Sequence, residues 1–207
     1  MATFTGYSSA SDGSIYAGNA NYATCHAAST GTRDTGTIYV GNELFTITYY
    51  IYRGFLYFDT SSLAGATISA ATLSVYASGV VSTLDDNLTV VSSTATDPLE
   101  ATDFDLVGTT SFVDAPPLFS TMSTVAYTVM TLNASGITAI NTAGGWTKFA
   151  LRTTKDIAET VPNNRSYATL NASADAGASP EAKLIITYTP LTATTNYLKD
   201  YRERGGE

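Results

Sequence analysis

Cys25 and His26 are the side chains of this sequence best suited to nucleophilic or metal chemistry, and they are adjacent. They are the only cysteine and the only histidine of the chain. A cysteine nucleophile needs a base within hydrogen-bond reach, and zinc needs three or four N or S ligands. We interpret the segment as extended, so that neighbouring side chains point to opposite faces. The pair is therefore expected to form neither a dyad nor a zinc site.

Carboxylates offer a second kind of chemistry, because glycoside hydrolysis uses two of them across a cleft. No local context marks such a pair among the 18 Asp and Glu residues. Asp59 ends an apolar segment and precedes Thr60 and two serines, a context typical of a carboxylate that caps a turn. There is no phosphate-binding loop either. We therefore expect that the protein is not an enzyme.

The charge distribution excludes some partners and suggests one ion. The net charge is −8, which argues against nucleic acid, because phosphate binding requires clustered Lys and Arg. Between Arg53 and Lys148 all charged residues are acidic, which indicates a solvated face, a structural calcium site or a patch that contacts a basic partner. No apolar run approaches the ~18 residues of a membrane span. With no recognisable secretory signal, we expect synthesis in a cytoplasm and no membrane partner.

Aromatic rings are the remaining resource for binding. The chain has 14 tyrosines and one tryptophan, residues that combine an apolar ring with a polar tip. A sugar-binding surface would need two or three exposed rings on one face. Tyr50 and Tyr52 alternate along a predicted strand and are candidates, together with Trp146 if it lies beside them. The alternative is that Trp146 belongs to the core.

The elements that would position these residues are short β-strands. The strongest strand pattern covers Leu44–Tyr52, which is almost wholly β-branched or aromatic. Arg53-Gly54 predicts a bulge or tight turn before Phe55–Phe58. The whole segment 44–60 is longer than an average strand and could divide into two strands. Residues 93–124 are expected to form a long loop excursion, and such loops are often functional.

Further strands and one helical turn complete the pattern. The helical turn is predicted at Gly136–Asn141, with Asn133 or Ser135 as its cap. Additional strands are predicted at 67–77, Asn87–Ser92, Val125–Leu132, Trp146–Leu151, Tyr167–Leu170 and Lys183–Tyr188. So many short strands separated by turn residues are typical of a sandwich.

We therefore predict an all-β fold, an antiparallel, jelly-roll-like β-sandwich with one short helical turn and a C-terminal arm. The sandwich is expected to cover residues 1–190 and the arm residues 191–207, where charges of both signs are dense. The arm either is a disordered tail or docks on a neighbouring subunit. In the second case the candidate contact residues are Tyr197, Lys199, Tyr201, Arg202 and Arg204.

The order of several motifs resembles the DNRLRE-type β-sandwich modules, which are similar to carbohydrate-binding modules. The first motifs are Asp12–Tyr16, Asn21-Tyr22, the Arg-x-x-Leu-x-Phe-Asp run Arg53–Asp59, and Ile68–Leu73. The later ones are Gly136–Asn141, Trp146–Arg152, Asn163–Ala174 and Leu184–Tyr188. The match covers roughly residues 8–188. In Ile68–Leu73 either Ala70 or Ala71 could fill the family's alanine position.

The resemblance implies a domain found on extracellular polysaccharide-active proteins and among phage virion proteins. We expect a structural virion protein of a phage-like particle, a capsid decoration or tail-fibre component made in the host cytoplasm. It would act by assembling with itself, the resemblance implying a trimer, and with other virion proteins. The alternative is an extracellular carbohydrate-binding module that recognises a polysaccharide through exposed aromatic rings.

Overall fold

The computed structural model describes residues 1–83, 86–172 and 180–191. These residues form two antiparallel β-sheets that pack face to face, which confirms the predicted all-β sandwich. The described part contains three short α-helices rather than the single helical turn predicted. The candidate arm residues lie outside the described residues, so the arm and the domain boundary stay predictions: Tyr197, Lys199, Tyr201, Arg202 and Arg204.

Twelve strands make up the described sheets. In chain order they are β1 (Ala2–Tyr7), β2 (Gly13–Asn19), β3 (Thr32–Asp34), β4 (Thr37–Phe45), β5 (Thr48–Asp59), β6 (Thr67–Val75), β7 (Ala77–Ser82), β8 (Leu88–Ser92), β9 (Thr128–Thr131), β10 (Trp146–Thr153), β11 (Arg165–Asn171) and β12 (Lys183–Thr189). The helices are α1 (Tyr22–His26), α2 (Ala134–Thr138) and α3 (Thr154–Ile157). Single 3₁₀ turns lie at Ser61–Leu63, Ala101–Asp103 and Phe119–Thr121.

The two sheets differ in size. The smaller sheet has the strand order β1-β12-β6-β9. The larger sheet has the order β3-β2-β5-β4-β11-β7, and β10 joins it by pairing with both β5 and β8. The 12-residue strand β5 lies between β2 and β4 near its start and pairs with β10 near its end. This strand therefore organises the larger sheet.

The main core fills the space between the sheets. Alternate residues of β11 and β12 are buried, as expected for strands with one face toward a core. Leu73 and Leu184 from the smaller sheet join Phe58 and Phe149 from the larger sheet in one continuous cluster. Each of these side chains is fully buried, and burial of one such side chain contributes about 1.5–3 kcal/mol.

A β-bulge explains the uneven pattern of β6. Thr187 pairs with Ala70 and Tyr188 pairs with Ile68, so Ser69 is the extra residue on this strand. The extra residue allows Ile68 and Ala71 to pack against the same core although they are three positions apart. Ala71 is buried and Ala70 is exposed, so Ala71 is the alanine of this strand that faces the core.

The long excursion after β8 covers the outer face of the larger sheet. Leu99 and Phe104 from this segment are fully buried against Phe55 and Tyr57 of β5 in a second apolar cluster. The carboxylate of Asp103 holds the excursion by accepting hydrogen bonds from the backbone N–H groups of Thr96 and Glu100. The later part of the excursion contributes to the main core instead, through Phe112, Val113, Phe119 and Met122.

The prediction of one strand over Leu44–Tyr52 was wrong. Phe45 pairs with Thr48, so Thr46-Ile47 forms a two-residue hairpin turn between β4 and β5. Thr and Ile favour strands, and this preference hid the turn. The predicted interruption at Arg53-Gly54 was also wrong, because both residues lie inside β5. A side chain at position 54 would place its Cβ 2.7 Å from Cγ2 of Ile38, which explains the glycine.

Three smaller predictions need correction. The helix predicted at Gly136–Asn141 lies at α2, where the Asn133 side chain accepts from the N–H of Gly136 and is the cap. The strand predicted over Val125–Leu132 is restricted to β9. The segment around Cys25 is the helix α1 rather than an extended strand, with Asn21 as its cap.

Candidate functional site

Five tyrosine rings gather at the start of β5. Tyr52 is the centre, with its ring centroid 5.6 Å from that of Tyr16, 5.7 Å from Tyr39, 5.9 Å from Tyr167 and 6.2 Å from Tyr50. The Tyr50 and Tyr52 ring planes are only 20° apart. All five side chains are partly exposed. We call these five residues the tyrosine cluster.

Strand register brings the cluster together. Tyr52 pairs with Tyr16 on β2 and with Gly41 on β4, and Gly41 in turn pairs with Tyr167 on β11. Directly opposite residues of antiparallel strands point to the same face, so four strands contribute to one surface. Tyr50 pairs with Gly18, where a Cβ would lie 2.7 Å from the Tyr50 ring. The ring can therefore lie over the β2 backbone only because position 18 has no side chain.

An ion pair and two phenol groups fix the geometry of the cluster. Glu43 accepts a 2.6 Å hydrogen bond from the Tyr52 hydroxyl at Oε1 and a 2.7 Å bond from Nε of Arg165 at Oε2. Nη2 of Arg165 donates to the Tyr167 hydroxyl at 3.1 Å. The guanidinium group lies over the Phe45 ring, 5.2 Å from its centroid. Burial and the hydrogen bond to Glu43 raise the pKa of Tyr52, so its hydroxyl remains a donor.

Four members of the cluster line an open groove of about 470 Å³, and Tyr167 lies behind Tyr52 outside this lining. Its lining consists of Tyr16, Tyr39, Tyr50, Tyr52, Phe45, Asp34, Glu43 and Arg165. Within the described part of the chain, the hydroxyls of Tyr16, Tyr39 and Tyr50 make no hydrogen bond. The groove therefore combines apolar ring faces with free hydroxyl groups, and the one cation among these lining residues is already paired with Glu43.

Only two of the three predicted sugar-binding residues lie together. Tyr50 and Tyr52 belong to the tyrosine cluster, whereas Trp146 begins β10 opposite Asp59. Asp59 lies seven positions beyond Tyr52 along β5, which corresponds to about 23 Å. Trp146 is 42 % exposed, so it is neither a core residue nor a neighbour of the groove.

Most groove residues were not found by sequence reasoning. They include Tyr16, Tyr39, Glu43 and Arg165 on β2, β4 and β11, strands whose pairing the sequence pattern does not predict. A signal was present in the glycines at positions 18 and 41, each of which pairs with a tyrosine of β5. Recognising it requires the strand register, which the local pattern does not contain.

Cys25 and His26 have separate partners. The thiol of Cys25 donates to the backbone carbonyl of Ala17 at 3.2 Å, and burial raises its pKa to about 11. Nε2 of His26 lies 3.3 Å from Oδ1 of Asp156. The hydrogen bond with Asp156 raises the pKa of His26. The thiol is thus protonated at neutral pH, and it donates to the backbone rather than to the neighbouring imidazole.

Asp156 is the centre of a buried ionic cluster. Its carboxylate accepts hydrogen bonds from Nη2 and Nε of Arg53 at 3.0 and 3.1 Å. It also accepts one from Nε of Arg152 at 2.5 Å. Burial alone would raise the pKa of Asp156, but the hydrogen bond from His26 and the two guanidinium groups hold it below its ordinary value. Because the four residues come from β5, β10, α1 and α3, the cluster ties these elements together.

The acidic side chains in the described part of the chain mainly accept hydrogen bonds from other groups of the protein. Asp59 accepts the N–H of Ser61 at 2.9 Å, as expected for a turn-capping carboxylate. Asp86 accepts from the N–H groups of Asn87 and Lys155. The described residues contain no group of three or more His, Cys, Asp or Glu side chains placed to hold a metal ion. Structural calcium stays a prediction, and thermal melting with and without a chelator tests it.

None of the described helices is long and apolar enough to cross a membrane. No protein-family model matches the chain, and no curated protein sequence matches it.

Proposed function

We propose that this protein is a carbohydrate-binding module whose ligand lies in the tyrosine groove. The observation that carries the proposal is the clustering of five partly exposed tyrosine rings around Tyr52. The motif order that resembles DNRLRE-type modules supports the same function. Trp146 is not part of the proposed site.

The groove has the two kinds of surface that sugar recognition needs. Ring faces provide apolar contact for the C–H groups of a pyranose, and few polar groups fix its orientation. The free hydroxyls of Tyr16, Tyr39 and Tyr50 can both donate hydrogen bonds to sugar hydroxyls and accept hydrogen bonds from them. The Glu43–Arg165 pair keeps the rings in place before the ligand arrives, which lowers the entropy cost of binding.

Substitution of Tyr50 by Ala tests the proposal. The ring faces the groove and is held mainly by other groove rings, so we expect Tyr50→Ala to weaken polysaccharide binding by about tenfold, or ~1.4 kcal/mol. Affinity electrophoresis and titration calorimetry with soluble β-glucan, xylan and galactomannan measure the effect. Tyr7→Ala is the matched control, because Tyr7 is an exposed tyrosine on the smaller sheet. Equal binding by both variants, or no binding by the unmodified protein, would refute the proposal.

A second candidate is the structural virion protein predicted from the sequence. The specific observation in its favour is the apolar tip of the β4–β5 hairpin, where Phe45 and Ile47 are 53 % and 74 % exposed. Exposed apolar groups of this kind are typical of protein contact surfaces. Assembly would bury them between subunits of the same chain or against other virion proteins.

Light scattering tests the second candidate. We expect a defined oligomer for the full chain, and a smaller mass for Ile47→Ser and for a truncation after Pro190. The exposed threonine variant Thr110→Ser is the control for a neutral surface change. A monomer at all concentrations would contradict self-assembly in solution.

A further inference from the structure

A second depression continues from the tyrosine groove. It has a volume of about 780 Å³, and Tyr16 and Tyr50 line both depressions. Its other walls are the backbone and small side chains of β2, α1, the segment after α1, β3 and the start of β5. Hydroxyl and amide groups predominate among these side chains: Asn19, Thr24, Ser29, Thr30, Thr32 and Thr48. The two tyrosines therefore stand at the junction of an aromatic depression and a hydroxyl-rich one.

The two depressions together cross five neighbouring strands. Arg165 on β11 lies at one end and Thr32 on β3 at the other, with β4, β5 and β2 between them. Strands in a sheet are spaced by about 4.8 Å, so this path measures about 19 Å. A single pyranose ring would fill only a fraction of this length. The shape fits a linear chain of several sugars.

The charges along the path favour a neutral ligand. The hydroxyl-rich depression is lined by no charged side chain within the described residues. In the aromatic depression Arg165 is paired with Glu43, and Asp34 adds a further negative charge. An anionic polymer would meet no unpaired cation among these lining residues, and the net charge of −8 would repel it at longer range.

We infer that the ligand is a neutral, linear polysaccharide whose interior lies across both depressions, with Tyr16 and Tyr50 contacting its middle. The inference rests on the proposed carbohydrate-binding function and adds the chemical class and the binding mode. A binder of internal chain segments gains affinity with each sugar until the path is filled. The strand spacing places this limit at about four sugar units.

Calorimetric titration with an oligosaccharide series tests the inference. The probes are cello-, xylo- and manno-oligosaccharides from disaccharides to about octasaccharides, with alginate and polygalacturonate as anionic polymers. We expect affinity to rise by at least about tenfold from the disaccharide to the tetrasaccharide of the best series, and then to level off. We expect the anionic polymers to bind more weakly than the neutral ones.

A substitution that blocks the hydroxyl-rich depression tests whether the ligand occupies it. Ser29 is exposed and lines only the hydroxyl-rich part, so Ser29→Trp should fill it without touching the aromatic part. We expect this variant to lose the gain in affinity with chain length. Ser62→Trp is the control, because Ser62 is an exposed serine that lines neither depression.

The outcomes separate the two proposals. If no neutral or anionic glycan binds, the carbohydrate-binding function itself fails. If disaccharides bind as tightly as longer chains, or Ser29→Trp leaves the length dependence unchanged, the function stands and the two-depression mode is overturned. Tighter binding of alginate or polygalacturonate would overturn the neutral class.

Discussion

At the scale of single residues, the buried ionic cluster is the most demanding feature of the fold. Two guanidinium groups and one carboxylate are almost wholly removed from water at Arg53, Arg152 and Asp156. Such groups are tolerated only when they are paired and hydrogen-bonded. Further donors to backbone carbonyls, from Arg53 to Phe104 and from Arg152 to Gly108, complete the network.

Removal of the Asp156 charge is expected to be strongly destabilising. Asp156→Asn leaves two buried guanidinium groups without a counter-ion, and the expected loss is about 3–5 kcal/mol of the free energy of unfolding. Urea denaturation followed by circular dichroism measures it. Asp105→Asn, at an exposed position in the covering excursion, should change the free energy by less than about 0.5 kcal/mol. Similar values for both variants would show that the cluster contributes little.

The sequence allowed part of the site to be predicted. Tyr50 and Tyr52 could be chosen because they alternate along an aromatic segment, and this local pattern survives in β5. The partners Tyr16 and Tyr167 could not, because each lies on a strand far away in the chain. Trp146 was grouped with them on residue type alone, and residue type carries no information on which end of β5 it would face.

At the scale of elements, the β4–β5 hairpin contains a strained turn. Thr46 has φ of 57°, a left-handed conformation that is unfavourable for a β-branched residue. Two-residue hairpin turns normally place Gly, Asn or Asp where φ is positive. The strain lies directly between the exposed Phe45 and Ile47, beside the tyrosine groove.

Replacement of Thr46 by glycine is expected to relieve this strain. Thr46→Gly should raise the free energy of unfolding by about 1 kcal/mol, because glycine adopts a positive φ without steric cost. Chemical denaturation measures the change. Thr48→Gly, in which the strand residue after the turn is replaced, should instead destabilise by about 0.5–1 kcal/mol. A loss of stability for Thr46→Gly would contradict the strain interpretation.

Strand existence was easier to predict than strand ends. The segments that became β8, β10, β11 and β12 were each found from alternation and β-branched content. The hairpin turn was missed because Thr46 and Ile47 are themselves strand formers, so composition could not mark it. The covering role of residues 93–107 was missed for a different reason, since a loop's partner surface is determined by the assembled sheet.

At the scale of the whole molecule, raised pKa values make stability depend on pH, and Asp12 and His26 are two of the groups responsible. Asp12 is fully buried, Oδ1 accepts the N–H of Tyr57, and burial raises its pKa to about 7. The pKa of His26 is raised through Asp156. Both groups bind protons more tightly in the folded state than in the unfolded state, so their contributions are present at low pH and are lost as pH rises.

The free energy of unfolding is therefore expected to be higher near pH 5 than near pH 8. For Asp12 the loss occurs between its unfolded pKa of 3.8 and its folded value of about 7, and for His26 it follows as pH rises through the folded pKa. Asp156 sets the acid limit, because its folded pKa is lowered and its contribution disappears as pH falls below about 4. Thermal melting across this pH range measures the profile.

Asp12→Asn is the variant that isolates the first contribution. Asparagine keeps the acceptor for the Tyr57 N–H but does not titrate, so the slope of stability between about pH 4 and pH 7 should decrease. His26→Gln should flatten the slope only at higher pH. An unchanged profile in Asp12→Asn would show that this carboxyl does not cause the pH dependence.

The distance between the tyrosine cluster and Trp146 has a spectroscopic consequence. The single tryptophan reports on the far end of β5, so its emission should stay constant when a ligand enters the groove. The five phenol rings lie close enough to couple their electronic transitions, which gives the groove its own signal in near-ultraviolet circular dichroism. Ligand entry should therefore be visible in the tyrosine band without a label, while the tryptophan band serves as an internal reference for the intact fold.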